Sequence, residues 1–214
     1  MEWLDNKAVE GRAVLYVALG TLAAIPESQL TAVADGLERA RLDFIWAVRP
    51  ENIDLSSGFE ERIKGRGLVV REWVDQLEIL RHESVRGFLS HCRWNSVLES
   101  VTAGVPLAVW PMHADQPCNA KFLVDELKIA VRLHAVDRTI RGLVTSEEVS
   151  TVVRVLMLGE KAVELAKNVA ELSASAKEAT EEGGSPWKTL KDMIGELCLV
   201  NGNSEVSQDE KVYA

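Results

Sequence analysis

Residues 88–100, FLSHCRWNSVLES, put a histidine, a cysteine, an arginine and an Asn-Ser pair where an apolar stretch gives way to helical periodicity. A helix starting near Asn95-Ser96 presents unpaired N–H groups and about half a positive charge, which is a phosphate-binding arrangement. Asn95 and Ser96 add side-chain donors, and His91 stands just before them as another. The same residues have a purely structural reading, because Ser96 and Glu99 have the S-x-x-E spacing of a capping box.

Trp73 and Gln76 lie at the end of an earlier apolar stretch. A tryptophan there is either partial core or a stacking platform, and base–aromatic stacking contributes about 1–3 kcal/mol per base. Gln76 is then within reach of a ribose or base edge. Asp115-Gln116, in WPMHADQPCNA, suits a helix cap, and it also offers acceptors and donors at the spacing of sugar hydroxyls. His82, His91, Cys92 and His113 lack the paired, close spacing of a zinc site, so no metal is expected. No G-x-G-x-x-G follows the first strand and no G-x-x-x-x-G-K-[ST] occurs, which weighs against dinucleotide and P-loop sites.

The elements that must position these residues alternate. AVLYVAL (13–19), LDFIWAV (42–48), GLVV (67–70), VRGFL (85–89), VPLAVW (105–110) and IAVRL (129–133) read as strands. Their continuous apolar character is that of strands buried on both faces of a parallel sheet. Helical periodicity is expected from Pro26 to about Arg39, around 76–81, over 95–103 and over about 116–127. Beyond residue 133 the strands stop, and helices are expected over 145–157, 161–179 and 183–199, the last with Pro186 in its first turn. This order predicts an α/β, Rossmann-like, doubly wound domain whose ligand sits at the carboxyl ends of the strands. The candidate residues fall on those ends. The domain is expected to span 1–198, followed by a polar, disordered tail over 199–214.

A net charge of −9 argues against a nucleic-acid binder or a membrane-surface protein, so an anionic ligand must be held by backbone amides or a few placed side chains. No apolar run approaches the ~18–20 residues of a membrane span, and the N-terminus lacks the features of a secretory signal. Three widely spaced cysteines, Cys92, Cys118 and Cys198, read as reduced thiols of a cytoplasmic protein.

Taken together, Trp73 through Gln116 resembles the signature box of plant UDP-dependent glycosyltransferases. The matching elements are Trp73, Gln76, Leu80, His82, Phe88, Ser90-His91-Cys92, Trp94-Asn95-Ser96, Glu99, Gly104-Val105-Pro106, Pro111 and Asp115-Gln116. WLD (3–5) followed by VLYVALGT resembles the family's entry to its second domain, and GGSPWKTLKDMI its last helix. The resemblance implies a GT-B enzyme of which this chain is the C-terminal, donor-binding half. It implies UDP contacts from Trp73, Gln76, His91, Asn95, Ser96 and Glu99, and sugar contacts from Trp94, Asp115 and Gln116. A closing glutamine goes with glucose, so UDP-glucose is the implied donor, with small hydroxylated acceptors, no metal and no further cofactor. In this family the general base lies in the N-terminal, acceptor-binding domain. The implication is that this chain alone binds UDP-sugar and transfers little or nothing.

Two positions depart from the pattern. Asp75 replaces a usual proline, a change expected to be mild. Arg93 replaces the glycine of an HCGWN run. A glycine there allows special backbone angles or close approach to a phosphate. Arginine could crowd the diphosphate, swing outward, or lie against the phosphates as an extra donor; weakened or altered donor binding is the expectation.

Overall fold

The computed structural model describes residues 1–20, 25–49, 55, 58–137, 139 and 142–202. In chain order its elements are α1 (Glu2–Val9), β1 (Val14–Ala18), α2 (Glu27–Ala40), β2 (Asp43–Ala47), α3 (Phe59–Arg62), β3 (Gly67–Val70), α4 (Gln76–Arg81), β4 (Val85–Ser90), α5 (Trp94–Ala103), β5 (Leu107–Val109), α6 (Gln116–Lys121), β6 (Ala130–Arg132), α7 (Ser146–Met157), α8 (Gly159–Thr180) and α9 (Ser185–Gly202). A single π-helical turn, Phe122–Glu126, continues α6. All six expected strands form, each within two residues of its anticipated bounds.

The strands make one parallel sheet in the order β3-β2-β1-β4-β5-β6. The most apolar run takes the middle place, and Val14, Leu15, Tyr16 and Val17 of β1 are fully buried. Helix α2 packs along α7, and the contact is close because α2 carries Gly36 where they meet. A Cβ at Gly36 would stand 2.6 Å from Val149 Cβ. Thr145 caps α7, accepting a hydrogen bond from the Glu148 N–H at 3.2 Å.

Helices α1 and α3 were not anticipated from periodicity. Long-range polar contacts hold α1: Lys7 Nζ donates to the Gly65 carbonyl at 2.7 Å, and Asp5 pairs with His82 Nε2 at 3.0 Å. His82 Nδ1 is in turn 2.8 Å from Ser84 Oγ, at the start of β4. Beneath them the buried Asp43 carboxylate is paired with Arg12 and lies 3.8 Å from Lys7 Nζ.

The chain divides into two compact units, Met1–Ser173 and Ala174–Ala214. The first holds the sheet and the candidate site. In the second, α9 begins as expected with Pro186 in its first turn and runs to Gly202. Of the anticipated tail over 199–214, residues 199–202 continue α9 and residues 203–214 lie outside the described residues. Among the described residues no helix is long and apolar enough to cross a membrane.

Candidate functional site

In this strand order the sheet grows outward from β1 in one direction through β2 and β3, then returns to β1's other side with β4. A crevice opens at such a reversal, beyond the carboxyl ends of the strands. Ala18 of β1 stands level with Ala47 of β2 and Ser90 of β4. Just above them is a cavity of about 480 Å³. The segments after the strands line it: Gly20 after β1, Arg49 after β2, residues 72–77 after β3, His91 and Arg93 after β4, and His113 after β5.

Trp73 is 82% exposed and lies on this cavity, which rules out a partial-core role. The Arg49 guanidinium carbon is 5.9 Å from the Trp73 ring centroid, a cation–π distance. Two residues on, Asp75 caps α4 by accepting from the Glu78 N–H at 3.0 Å. The replacement of proline by aspartate is thus accommodated as an ordinary helix start.

Gln76 ties α4 to α5. Its Nε2 donates to Ser96 Oγ at 3.1 Å and to Glu99 Oε2 at 2.5 Å. Its Oε1 accepts from the Tyr16 hydroxyl at 3.4 Å. The capping box expected at Ser96 and Glu99 is therefore not formed. Helix α5 begins two residues earlier, at Trp94, with Arg93 in the N-cap position and no side-chain cap. Ser96 and Glu99 are instead recruited by a side chain from another element, which the S-x-x-E spacing cannot reveal.

The turn between β4 and α5 places its left-handed residue at Cys92, with φ 66°, while Arg93 has φ −69° and ψ 143°. Position 93 thus has a backbone conformation that any residue adopts. The kink is clamped from both sides: the Cys92 N–H donates to Ser90 Oγ at 3.1 Å, and the Cys92 carbonyl accepts from Asn119 Nδ2 at 3.1 Å. Burial pushes the Cys92 thiol up to about 12, so it stays protonated and inert.

His91 is 7% exposed, and its Nδ1 has no hydrogen-bond partner in the structure. Desolvation, and then the charges of Arg93 and His113, hold its pKa below the usual histidine value; the Ala18 backbone and Asp115 oppose the shift. Such an imidazole is neutral at pH 7 and can donate one N–H without carrying charge. Gly20 makes room for it, since a Cβ there would lie 2.7 Å from His91 Nε2.

Trp73, Gln76, His91, Asn95, Ser96 and Glu99 all line the one cavity; Trp94, Asp115 and Gln116 do not. Trp94 is exposed at the start of α5. Asp115 accepts from Asn119 Nδ2 at 2.9 Å rather than capping α6. Gln116 is buried, and its Oε1 accepts from the N–H groups of Met112 at 2.9 Å and His113 at 3.2 Å, shaping the loop after β5. Tyr16 and Arg49 also line the cavity, although sequence reasoning did not single them out. Tyr16 sits inside a strand and reads as core, and Arg49 carries no local signal beyond its place at a strand end. His113 had been weighed only as a metal ligand. Among the described residues no cluster of three or more His, Cys, Asp or Glu could hold a metal ion.

The family model described as UDP-glucoronosyl and UDP-glucosyl transferase matches residues 3–178. UDP-glycosyltransferase 90A1 of Arabidopsis thaliana is 49% identical over 210 residues, covering 97% of this chain and 44% of that protein. Zeatin O-xylosyltransferase of Phaseolus vulgaris is 40% identical, over 92% of this chain and 45% of its own length. The solved structure of Phytolacca americana UGT2 complexed with UDP-2fluoro-glucose and pterostilbene superposes with a TM-score of 0.84 at 40% identity, covering 91% of this chain and 43% of that one. This chain therefore spans less than half the length of the relatives it matches.

Proposed function

Because this chain belongs to the UDP-glucoronosyl and UDP-glucosyl transferase family, we propose that its cavity is the donor site for a UDP-sugar in an inverting transfer to a small hydroxylated acceptor. The observation that carries the reading is the gathering of Trp73, Gln76, Glu99, Ser96, Asn95 and His91 on one cavity. Trp73 offers its face to uracil. Glu99, whose Oε2 is engaged by Gln76, offers Oε1 to the ribose hydroxyls. The N-terminal N–H groups of α5, with Asn95, Ser96 and His91, take the diphosphate.

In the transfer, the acceptor oxygen bonds to the anomeric carbon as the bond from that carbon to the diphosphate oxygen breaks. Negative charge builds on the departing UDP, and fixed donors at α5 and His91 stabilise it without reorganisation. No metal is invoked. The acceptor proton goes to a base that this reading assigns to the part of such a protein this chain does not span, so the chain alone binds donor and turns over little or nothing.

Glucose is the favoured sugar, supported by the Asp115-Gln116 pair that ends the signature box. Gln116 has only its amide nitrogen uncommitted, and a relative of similar identity is named for xylose transfer, so the sugar is a matter for measurement. We take the compartment to be the cytoplasm, a reading supported by the unpaired thiols Cys92 and Cys118. The same cavity serves one other reading, a non-catalytic UDP-sugar-binding or interaction module.

Calorimetric titration with UDP, UDP-glucose and UDP-galactose tests the site, with UDP-glucose expected to bind best of the two sugars. No heat and no thermal shift with UDP would sink both readings. Turnover of a model phenol by this chain alone would overturn the assignment of the base elsewhere.

A further inference from the structure

Arg93 stands where the signature pattern has glycine, and the structure removes one reason for that glycine, a backbone angle that only glycine adopts readily. The left-handed angle belongs to Cys92, and the clamps from Ser90 and Asn119 fix where position 93 emerges. The Arg93 side chain is exposed, lines the cavity, and makes no hydrogen bond or ion pair with any described residue. It occupies the N-cap position of the ten-residue α5, next to the Asn95 and Ser96 side chains.

The charges around it define what it can meet. Glu72, Asp75 and Glu99 bring carboxylates to the cavity wall, with Asp75 committed to capping α4 and Glu99 to Gln76. Arg49, the other arginine of the wall, stands over the Trp73 ring, 5.9 Å from its centroid. At the α5 end, the buried and neutral His91 also lines the cavity, so Arg93 is the cation on that part of the wall.

Resting on the donor-site reading above, we propose that Arg93 is a specificity residue that binds the pyrophosphate of the nucleotide and raises affinity for diphosphate over uncharged nucleoside. Its planar guanidinium matches two phosphate oxygens at once. Because it makes no hydrogen bond or ion pair with any described residue, it breaks none of these to do so. Of the two grounds for expecting arginine to weaken the site, a backbone angle open only to glycine does not apply at residue 93, and crowding of the diphosphate is what the titration below decides.

The test compares the 214-residue chain with Arg93→Ala and Arg93→Lys, titrated with UDP and with uridine at low and moderate salt. Arg93→Ala should weaken UDP about 10-fold at low salt, the size of a charge-assisted hydrogen bond, and leave uridine and the melting temperature unchanged. Arg93→Lys should recover part of the loss, and added salt should narrow the gap between wild type and Arg93→Ala. UDP binding that is equal or tighter in Arg93→Ala overturns the proposal, as does an equal loss for UDP and uridine. A wild-type chain that binds neither molecule removes the donor-site reading itself, and the role of Arg93 with it.

Discussion

Trp73→Ala separates ligand binding from folding at one position. With 82% of its surface exposed, Trp73 contributes little to the core. Among the described residues its ring contact is with Arg49, 5.9 Å from the centroid, worth about 0.5–1 kcal/mol at an exposed site. Truncation should therefore shift unfolding by no more than about 1 kcal/mol. If uracil stacks on the ring, the same change removes about 1–3 kcal/mol of binding, which is roughly 5- to 150-fold in Kd. Titration calorimetry with UDP, uridine and inorganic pyrophosphate resolves the parts: the first two should weaken by the same factor and pyrophosphate should not change. Trp73→Phe, which keeps a stacking face, should recover most of the loss. An unchanged Kd for UDP in Trp73→Ala, alongside measurable wild-type binding, would place the base elsewhere and refute the reasoning.

Gly20→Ala should damage both stability and the site. At φ +82° an alanine costs about 1–2 kcal/mol, and its Cβ would displace the His91 ring. Urea unfolding and a UDP titration check this, and a variant unchanged in both would show that the ring and turn are not fixed as described. His91 also sets a pH dependence. Its folded pKa lies below the ordinary 6.5, so between the two values the unfolded chain binds a proton that the folded chain refuses. The corresponding stability is fully present above pH about 6.5 and is lost as pH falls toward the folded value. Unfolding free energies measured from pH 7.5 to 5 should decline less for His91→Gln than for wild type; equally steep profiles would contradict the buried, neutral imidazole.

The strands and the cavity at their carboxyl ends were legible because both are written in local pattern. A run such as Val14–Ala18 has no polar face, so it has to be buried on both sides, and alternation with helices then places ligands at the strand ends. Helix α1 was not legible because it carries little amphipathic signal and is held by partners far along the chain, Gly65 and His82. Gln116 was read as a sugar contact from its neighbour and its place, yet its carbonyl oxygen turns inward to hold the Met112 and His113 amides.

By itself, then, the sequence determined the parallel sheet, the turn after β4 as part of the cavity wall, and the residue types assembled there. These follow from periodicity and spacing, which act over a few residues. Only the tertiary structure decided how those residues are employed: Ser96 and Glu99 bound to Gln76 rather than to their own helix, the left-handed angle given to Cys92 rather than to residue 93, and Arg93 left without a hydrogen bond or ion pair to any described residue at the start of α5. The physical reason is that a hydrogen bond or a charge takes whichever partner the sheet brings within about 3 Å, and nothing in local spacing says which element that partner will come from.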